Sequence, residues 1–454
     1  MRTSNRPPER SRGIFAVPLL ILGSAGLAHC SSESDVVLGR EGDLGEAGMP
    51  DDSGIAAPPG DAGPPKAPGQ DAATSDAGAR PVVCASDRCA TSIATTNGAR
   101  PLTAGFCALL QDRTVACWGQ NADGELGRGP TGPVPGSATP ERVEGLSNIV
   151  FLEHNCAIDT AGSTWCWGMG PYLRSTTAAM TKETTPIKID IPPATMISVS
   201  RYLTSHGVAC AVTEGNVVCW GMNQYAQVAV PELGEKPTAP RTPEPQPLPD
   251  GAPIQKIAVG YASFVQRTDG TLSSWGASPP LGRLSSLFPD PYPQEVALTG
   301  VSAIDVGHDN ACAVANGIAY CWGSISGWPG TALSRALPQA VPTPEPVVDI
   351  ATHSSVGNVS IPQRACAVGV SGDVYCWGNN AHGQVGDGTR DWALEPVKVN
   401  GLPGPASIVR ASARTTCALL VDGRVFCWGD NVTGQLGNGA IKEPSLVPQE
   451  VLLP

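Results

Sequence analysis

The chain has 454 residues, a net charge of −12, 53 glycines and 44 prolines, and only 5% aromatic residues. That length exceeds one ordinary domain, and an acidic balance with no basic stripe lacks the counterion-release term that drives phosphate binding, which excludes nucleic acid as a partner. Fifteen cysteines point to an oxidising compartment.

Residues 1–12 carry Arg2, Arg6, Arg10 and Arg12 against one acid, Glu9, and residues 14–28 are apolar apart from small residues and Ser24. A basic start, a short apolar core and small residues after it read as a secretory signal peptide over 1–29, too short for an ordinary membrane span. Its end, Leu27-Ala28-His29-Cys30, resembles the bacterial lipoprotein box. That resemblance implies lipidation of Cys30, membrane contact through the lipid anchor, and an outer-membrane or cell-surface location. His29 stands where the box has a small residue. Ordinary cleavage after Ala28, giving a periplasmic or secreted protein, is the alternative. Residues 30–82 are rich in Gly, Ala, Pro, Ser and Asp and contain no aromatic side chain. Such a stretch buries too little surface to offset its ordering entropy and reads as a disordered tether. Cys84 and Cys89 come next, close enough in sequence to bond to each other.

From Cys107 onward one pattern recurs. Trp118, Trp167, Trp220, Trp275, Trp322, Trp377 and Trp428 each precede a glycine, 47 to 55 residues apart, and six of them follow a cysteine directly. Each such cysteine has a partner nine or ten residues upstream. The pairs are Cys107 with Cys117, Cys156 with Cys166, Cys210 with Cys219, Cys312 with Cys321, Cys366 with Cys376 and Cys417 with Cys427. A period of that size marks an array of supersecondary units. Between Cys312 and Cys321 the midpoint is Asn316-Gly317, a two-residue hairpin turn, so Ala315 faces Ile318 and the cysteines meet at a non-hydrogen-bonded position. Glu214-Gly215 repeats this arithmetic. Pairs separated by ten need a three-residue loop ending in a left-handed residue; Gly162, Gly270, Gly372 and Gly423 occupy that position, and Arg113 occupies it in the first unit. Cross-strand disulfides fit this geometry, each contributing about 2.5–3 kcal/mol. In the fourth unit the two positions are Phe264 and Ser274, so both cysteines are missing together, as bonded partners should be.

Each unit shows a proline-led extended piece, such as 396–399, then a β-rich run, such as 407–410, then the hairpin and Trp-Gly. Four short strands per unit, repeated seven times with Gly/Pro-rich turns, predict an all-β, seven-bladed β-propeller over 83–454 with disulfide-stapled hairpins. The chain ends in a proline-led strand, 447–454, with no hairpin after it, while the hairpin at 107–117 has no clear strand of that type before it. The C-terminal strand is therefore expected to complete the first blade and remove an open edge. Side chains alternate along a strand, which turns each Trp away from its neighbouring Cys and sets it between adjacent blades.

The stretches WGQNADGELGRG from Trp118, WGNNAHGQVGDG from Trp377 and WGDNVTGQLGNG from Trp428 resemble the regulator of chromosome condensation repeat, whose hallmark is W-G-x-N-x-x-G-Q-L-G. The resemblance covers roughly 95–454, is strongest in blades one, six and seven, and implies a seven-bladed propeller. His154 sits where that family often carries a histidine; Asn310 and Thr415 stand there in other blades. The best-known relative binds chromatin and promotes nucleotide exchange on a small GTPase; exchange activity here would follow from fold analogy alone. A secreted bacterial inhibitor of β-lactamases with this fold binds through one propeller face.

The Asn/Asp/Gly clusters after Trp118, Trp377 and Trp428 lack calcium-loop spacing and read as turn chemistry, and the histidines show no metal-ligand spacing. Neither a nucleophile elbow nor a phosphate loop is present. No cofactor, metal or catalytic residue is expected. Trp328, Arg390 and Trp392 lie outside the repeat positions and are the candidate binding residues. The reading is a monomeric, non-enzymatic cell-envelope binding protein for a protein or glycan; the alternative is an envelope glycan hydrolase or lyase with an axial site.

Overall fold

The structure is a computed structural model, and it describes residues 79–96, 105–129, 136–170, 173, 180–200, 207–230, 240–323, 335–353 and 364–454. The expected signal peptide, Cys30, the tether up to residue 78 and Trp328 lie outside these residues. All described residues belong to one compact unit, Asp71–Pro454.

Every described strand falls into one of seven antiparallel sheets of four. The first strands of successive blades, Ala90–Thr95, Ile149–Glu153, Ala194–Val199, Ile254–Val259, Val301–Val306, Val347–His353 and Ala406–Ala411, approach one another around a central axis. Second and third strands form the predicted hairpins, and all six expected cysteine pairs are in register. Cys107 faces Cys117 in blade one, Cys156 faces Cys166 in blade two, and Cys210 faces Cys219 in blade three. Cys312 faces Cys321 in blade five, Cys366 faces Cys376 in blade six, and Cys417 faces Cys427 in blade seven. Each pair is bonded, with Cα atoms 4.0–4.1 Å apart. Phe264 faces Ser274 at the same register in blade four. The turns take the expected backbone: Glu214 and Asn316 have φ of 51° and 50°, and Arg113, in the place glycine holds elsewhere, has φ 62°.

The outer strands correct one expectation. The C-terminal strand, Ser445–Glu450, pairs with Val425–Gly429 in its own seventh blade, and does not join the first. Blade one begins with its own strand, Ala90–Thr95, paired to Phe106–Leu110. The proline-led piece therefore ends a blade; it does not open the next one. A strand that follows its hairpin by a short loop pairs most cheaply with the strand it has just left.

The ring closes instead through side chains and single hydrogen bonds. Each of the seven core clusters joins two neighbouring blades, and the cluster of Ile93, Phe106 and Trp118 with Leu419, Val425, Val451 and Leu453 joins blade seven to blade one. The Trp of the later blade meets the cystine of the earlier one: Trp118 packs with Cys417 and Cys427, Trp220 with Cys156 and Cys166, and Trp428 with Cys366 and Cys376. Against Trp322 the Phe264 ring takes the cystine's place, with centroids 5.8 Å apart. A repeating backbone bond runs from the start of six of the seven inner strands to the preceding hairpin turn, for example Val347 N–H to Gly317 O at 2.8 Å, and Ala90 N–H to Gly423 O at 2.9 Å makes the same link across the junction. The segment before Ala90 is docked as well. Cys84 and Cys89 are bonded, Val83 N–H donates to Val421 O, and Arg80, within the stretch read as tether, donates to Val370 O.

Candidate functional site

Successive antiparallel strands place two sets of loops at the same end of every blade: those joining strands one and two, and those joining strands three and four. The second set carries the Trp-Gly-x-Asn motif, and its polar groups are spent on the fold. Asn121, Asn223, Asn380 and Asn431 each accept, through Oδ1, the amide five residues on (Leu126, Val228, Val385 and Leu436) at 2.9–3.0 Å. Gln227, Gln384 and Gln435 accept the amide two residues before them, and Glu125 does the same for Asp123 at 2.7 Å. The carbonyl at this position receives the indole N–H of the next blade's Trp: Trp118 to Gln435 O, Trp167 to Glu125 O, Trp275 to Gln227 O and Trp428 to Gln384 O, all within 3.0 Å. The final glycine of the motif lies against that indole. A Cβ on Gly437, which has φ +63°, would stand 2.8 Å from Trp118 Nε1. These loops are pinned to the ring and hold their tips rigidly.

Of the predicted binding residues, Arg390 is exposed and Trp392 half-buried at the end of the blade-six loop. The turn beneath them is fixed by Asp387 Oδ1, which accepts Thr389 N–H at 2.9 Å, and by Asn380 Nδ2, which donates to Thr389 O at 3.2 Å. His382, in the same loop, is lowered from its ordinary pKa by burial and by the nearby charges of Arg414 and Arg390, while Asp430 acts in the opposite sense. Arg414 pairs with Asp430 at 3.6 Å. Arg390, His382 and Arg414 therefore lie near one another at the blade-six/seven junction, with Trp392 two residues beyond Arg390. The hairpin cystine residues, among them Cys166, Cys376 and Cys427, are buried and take no part in this group; their role is to hold the hairpins.

Two groups escaped the sequence reading. Tyr225, Tyr261 and His308, from three successive blades, meet ring to ring on the same end of the propeller. Singly placed aromatic residues in unrelated loops gave no signal. At the axis, Glu153, Lys256 and Arg410 line a cavity of about 310 Å³ together with Phe151 and Met196; Asp305 joins them at a second, much smaller cavity, and Asp349 pairs with Arg410, so that five inner strands contribute charge. Their register, opposite the hairpin cysteine or two residues before it, could have revealed them. Burial pushes the Arg410 guanidinium down, but Asp349, Asp305 and Glu153 together more than offset it and hold it above its ordinary value.

Most of these axial groups tie blades together. Asp305 Oδ2 accepts Thr352 N–H at 2.7 Å, Asp349 Oδ2 accepts Val409 N–H at 2.9 Å, and Lys256 Nζ donates to Ile304 O at 2.6 Å. His154 Nδ1 lies 2.9 Å from Thr95 O, bridging blades two and one. Among the described residues no group of three or more His, Cys, Asp or Glu forms a metal-ligand set.

The architecture defines a class: a seven-bladed propeller whose blades are locked by a Trp in the preceding blade's Gly-rich loop. The regulator of chromosome condensation (RCC1) repeat is matched at residues 371–419 and 422–454, within blades six and seven. The chain is 27% identical over 356 residues to the ultraviolet-B receptor UVR8 of Arabidopsis thaliana, covering 73% of this chain and 76% of the receptor. It is 28% identical over 361 residues to the human E3 ubiquitin-protein ligase HERC2, of whose length that match spans only 7%. In fold it is similar to yeast RCC1 (Prp20) bound to Kap60, with a TM-score of 0.60 at 21% identity, covering 74% of this chain and 83% of that one. Human WBSCR16 superposes with a TM-score of 0.61 at 18% identity, covering 75% and 95% of the two chains.

Proposed function

We propose that this chain is a non-enzymatic, monomeric cell-envelope protein that presents the loops of one propeller face to a protein or glycan. The observation that carries this reading is the pair of Arg390, exposed, and Trp392, half-buried, on a turn fixed by Asp387 and Asn380. Arginine and tryptophan on a rigid support lose little freedom on binding and are common anchors. The capture of yeast RCC1 with Kap60 supports protein recognition as a use of this fold. Immobilised head, Asp71–Pro454, should retain a partner from envelope extracts, and Arg390→Ala with Trp392→Ala should reduce retention at least about tenfold. Equal retention by the variant would move the site elsewhere.

Envelope placement rests on the basic-apolar leader and on Cys30. Labelled palmitate should enter the wild type and not Cys30→Ala; equal labelling would remove the lipid anchor.

The converging axial charges favour a second reading, an envelope glycan hydrolase or lyase. Turnover of envelope glycan that disappears in Glu153→Gln, with the melting temperature unchanged, would replace the binding role.

A further inference from the structure

Blade four departs from its neighbours in two ways. It lacks the cystine, and its loop after Trp275, without an Asn-x-x-Gly motif, carries four exposed apolar side chains within nine residues. Leu284 and Phe288 are 76% and 71% exposed, and Leu287 and Tyr292 nearly half exposed. Scattered exposed leucines need no explanation, but a contiguous apolar tip does.

The tip is held from below by a network that replaces the lost motif. Arg283, itself buried, pairs with Asp290 at 2.7 Å and donates to Ser274 O and Tyr292 O, each at 3.0 Å. Ser285 Oγ donates to Asp290 Oδ2 at 2.7 Å, and Ser274 Oγ donates to Leu281 O at 2.7 Å. The missing cystine is part of this design, because Ser274 stands in the position of a hairpin cysteine and its hydroxyl anchors the loop.

We propose that the tip formed by Leu284, Leu287, Phe288 and Tyr292 inserts into the interfacial region of a zwitterionic lipid bilayer. The chemistry of its polar groups selects that occupant over a protein pocket. Arg283 and Asp290, the only charged residues between 279 and 294, neutralise each other beneath the surface. Pro289, Pro291 and Pro293 have no N–H, and the amides of Leu287 and Tyr292 are held by Ser285 Oγ and Asp290 Oδ1. A protein partner is recognised by directional groups around an apolar anchor, and here the charged pair, the Ser285 hydroxyl and the amides of Leu287 and Tyr292 are turned inward, leaving Ser286 as the exposed polar side chain among the apolar ones. Hydrocarbon demands that polar groups be satisfied within the protein and offers none in return. Tyrosine beside phenylalanine and leucine suits the headgroup boundary, where one end of the ring is wet. The chain's net charge of −12 opposes an anionic surface and leaves a neutral one accessible.

The test uses the head, Asp71–Pro454, which contains every core cluster of the ring, with vesicles of phosphatidylcholine alone. Wild type should cosediment, with little change between about 0.05 and 0.5 M salt because the contact is uncharged. Leu284→Asp with Phe288→Asp should lower partitioning at least about tenfold, at an unaltered melting temperature. In a Phe288→Trp variant the new indole should be quenched by brominated lipid. Three results overturn the proposal: cosedimentation unaffected by the aspartates, absence of cosedimentation, or sedimentation equilibrium showing a dimer that the aspartates dissolve without any vesicle binding. The last would assign the tip to a second copy of this chain.

Discussion

Glu125 occupies the place that Gln227, Gln384 and Gln435 hold in other blades, and it is almost fully buried. Burial pushes its carboxyl up to about 7, with its own amide and that of Asp123 acting in the opposite sense. A raised folded pKa means that its contribution is intact below the ordinary glutamate value of about 4.3 and is lost as pH rises through 7. Glu125→Gln should therefore match wild type at pH 4 and exceed it in stability above pH 7, by up to about 3 kcal/mol, read as a higher melting temperature. An advantage independent of pH would place the effect in packing instead. The motif asparagines were legible as local turn chemistry. That the Gln position also lends its carbonyl to the next blade's Trp was not, because that contact joins residues some 40 apart or, for Trp118 and Gln435, 317 apart.

At the scale of the hairpin, cysteine spacing alone fixed register, turn type and pairing, because a two-stranded ribbon obeys a strict period of two. What spacing could not reveal is that a cystine serves as packing for the tryptophan of the following blade. Phe264 shows the alternative filling, in contact with Trp322 and fully buried. Installing cysteines at both Phe264 and Ser274 should therefore not stabilise the protein. A bond worth about 2.5–3 kcal/mol replaces a core phenylalanine whose loss costs about 3–5 kcal/mol, and the Ser274 hydroxyl that donates to Leu281 O is lost. A higher melting temperature for the oxidised double variant would contradict this account. The phase of the repeat was misread for a related reason. Pro140, Pro186, Pro293, Pro338, Pro396 and Pro448 each precede the residue that faces the second hairpin cysteine (Cys117, Cys166, Cys321, Cys376 or Cys427) or its Ser274 equivalent, within a bulge of the outer strand. Proline there withholds an N–H from an exposed edge, which protects against pairing with other chains. Its local sequence is the same whether the strand opens a blade or ends one.

For the whole ring, seven units and their circular arrangement followed from the period, while the seam did not. The first inner strand, Ala90–Thr95, is short and rich in Ala and Thr, so it gave little β signal beside Val- and Ile-rich runs. Removing residues 447–454 strips blade seven of most of its outer strand and takes Val451 and Leu453 out of the junction with blade one. The expected result is a melting temperature lower by about 10 °C or more, on the order of two large core deletions. An unchanged transition would mean that the seam carries no stability. Unreduced peptide mapping should give seven bridged fragments from the cysteines paired here; widespread free thiols would remove the staples.

Because each cystine links neighbours within one hairpin and no blade borrows a strand from the far terminus, assembly can be vectorial. As the polypeptide emerges from a ribosome or translocation pore, each blade can oxidise and pair its own strands without waiting for later sequence. Only the seam needs both extremities at once: there Val451 and Leu453 settle beside Ile93 and Phe106, Trp118 reaches Gln435, and Ala90 meets the turn at Gly423. Threading order and finished topology thus coincide, leaving few opportunities for mispaired sulfurs.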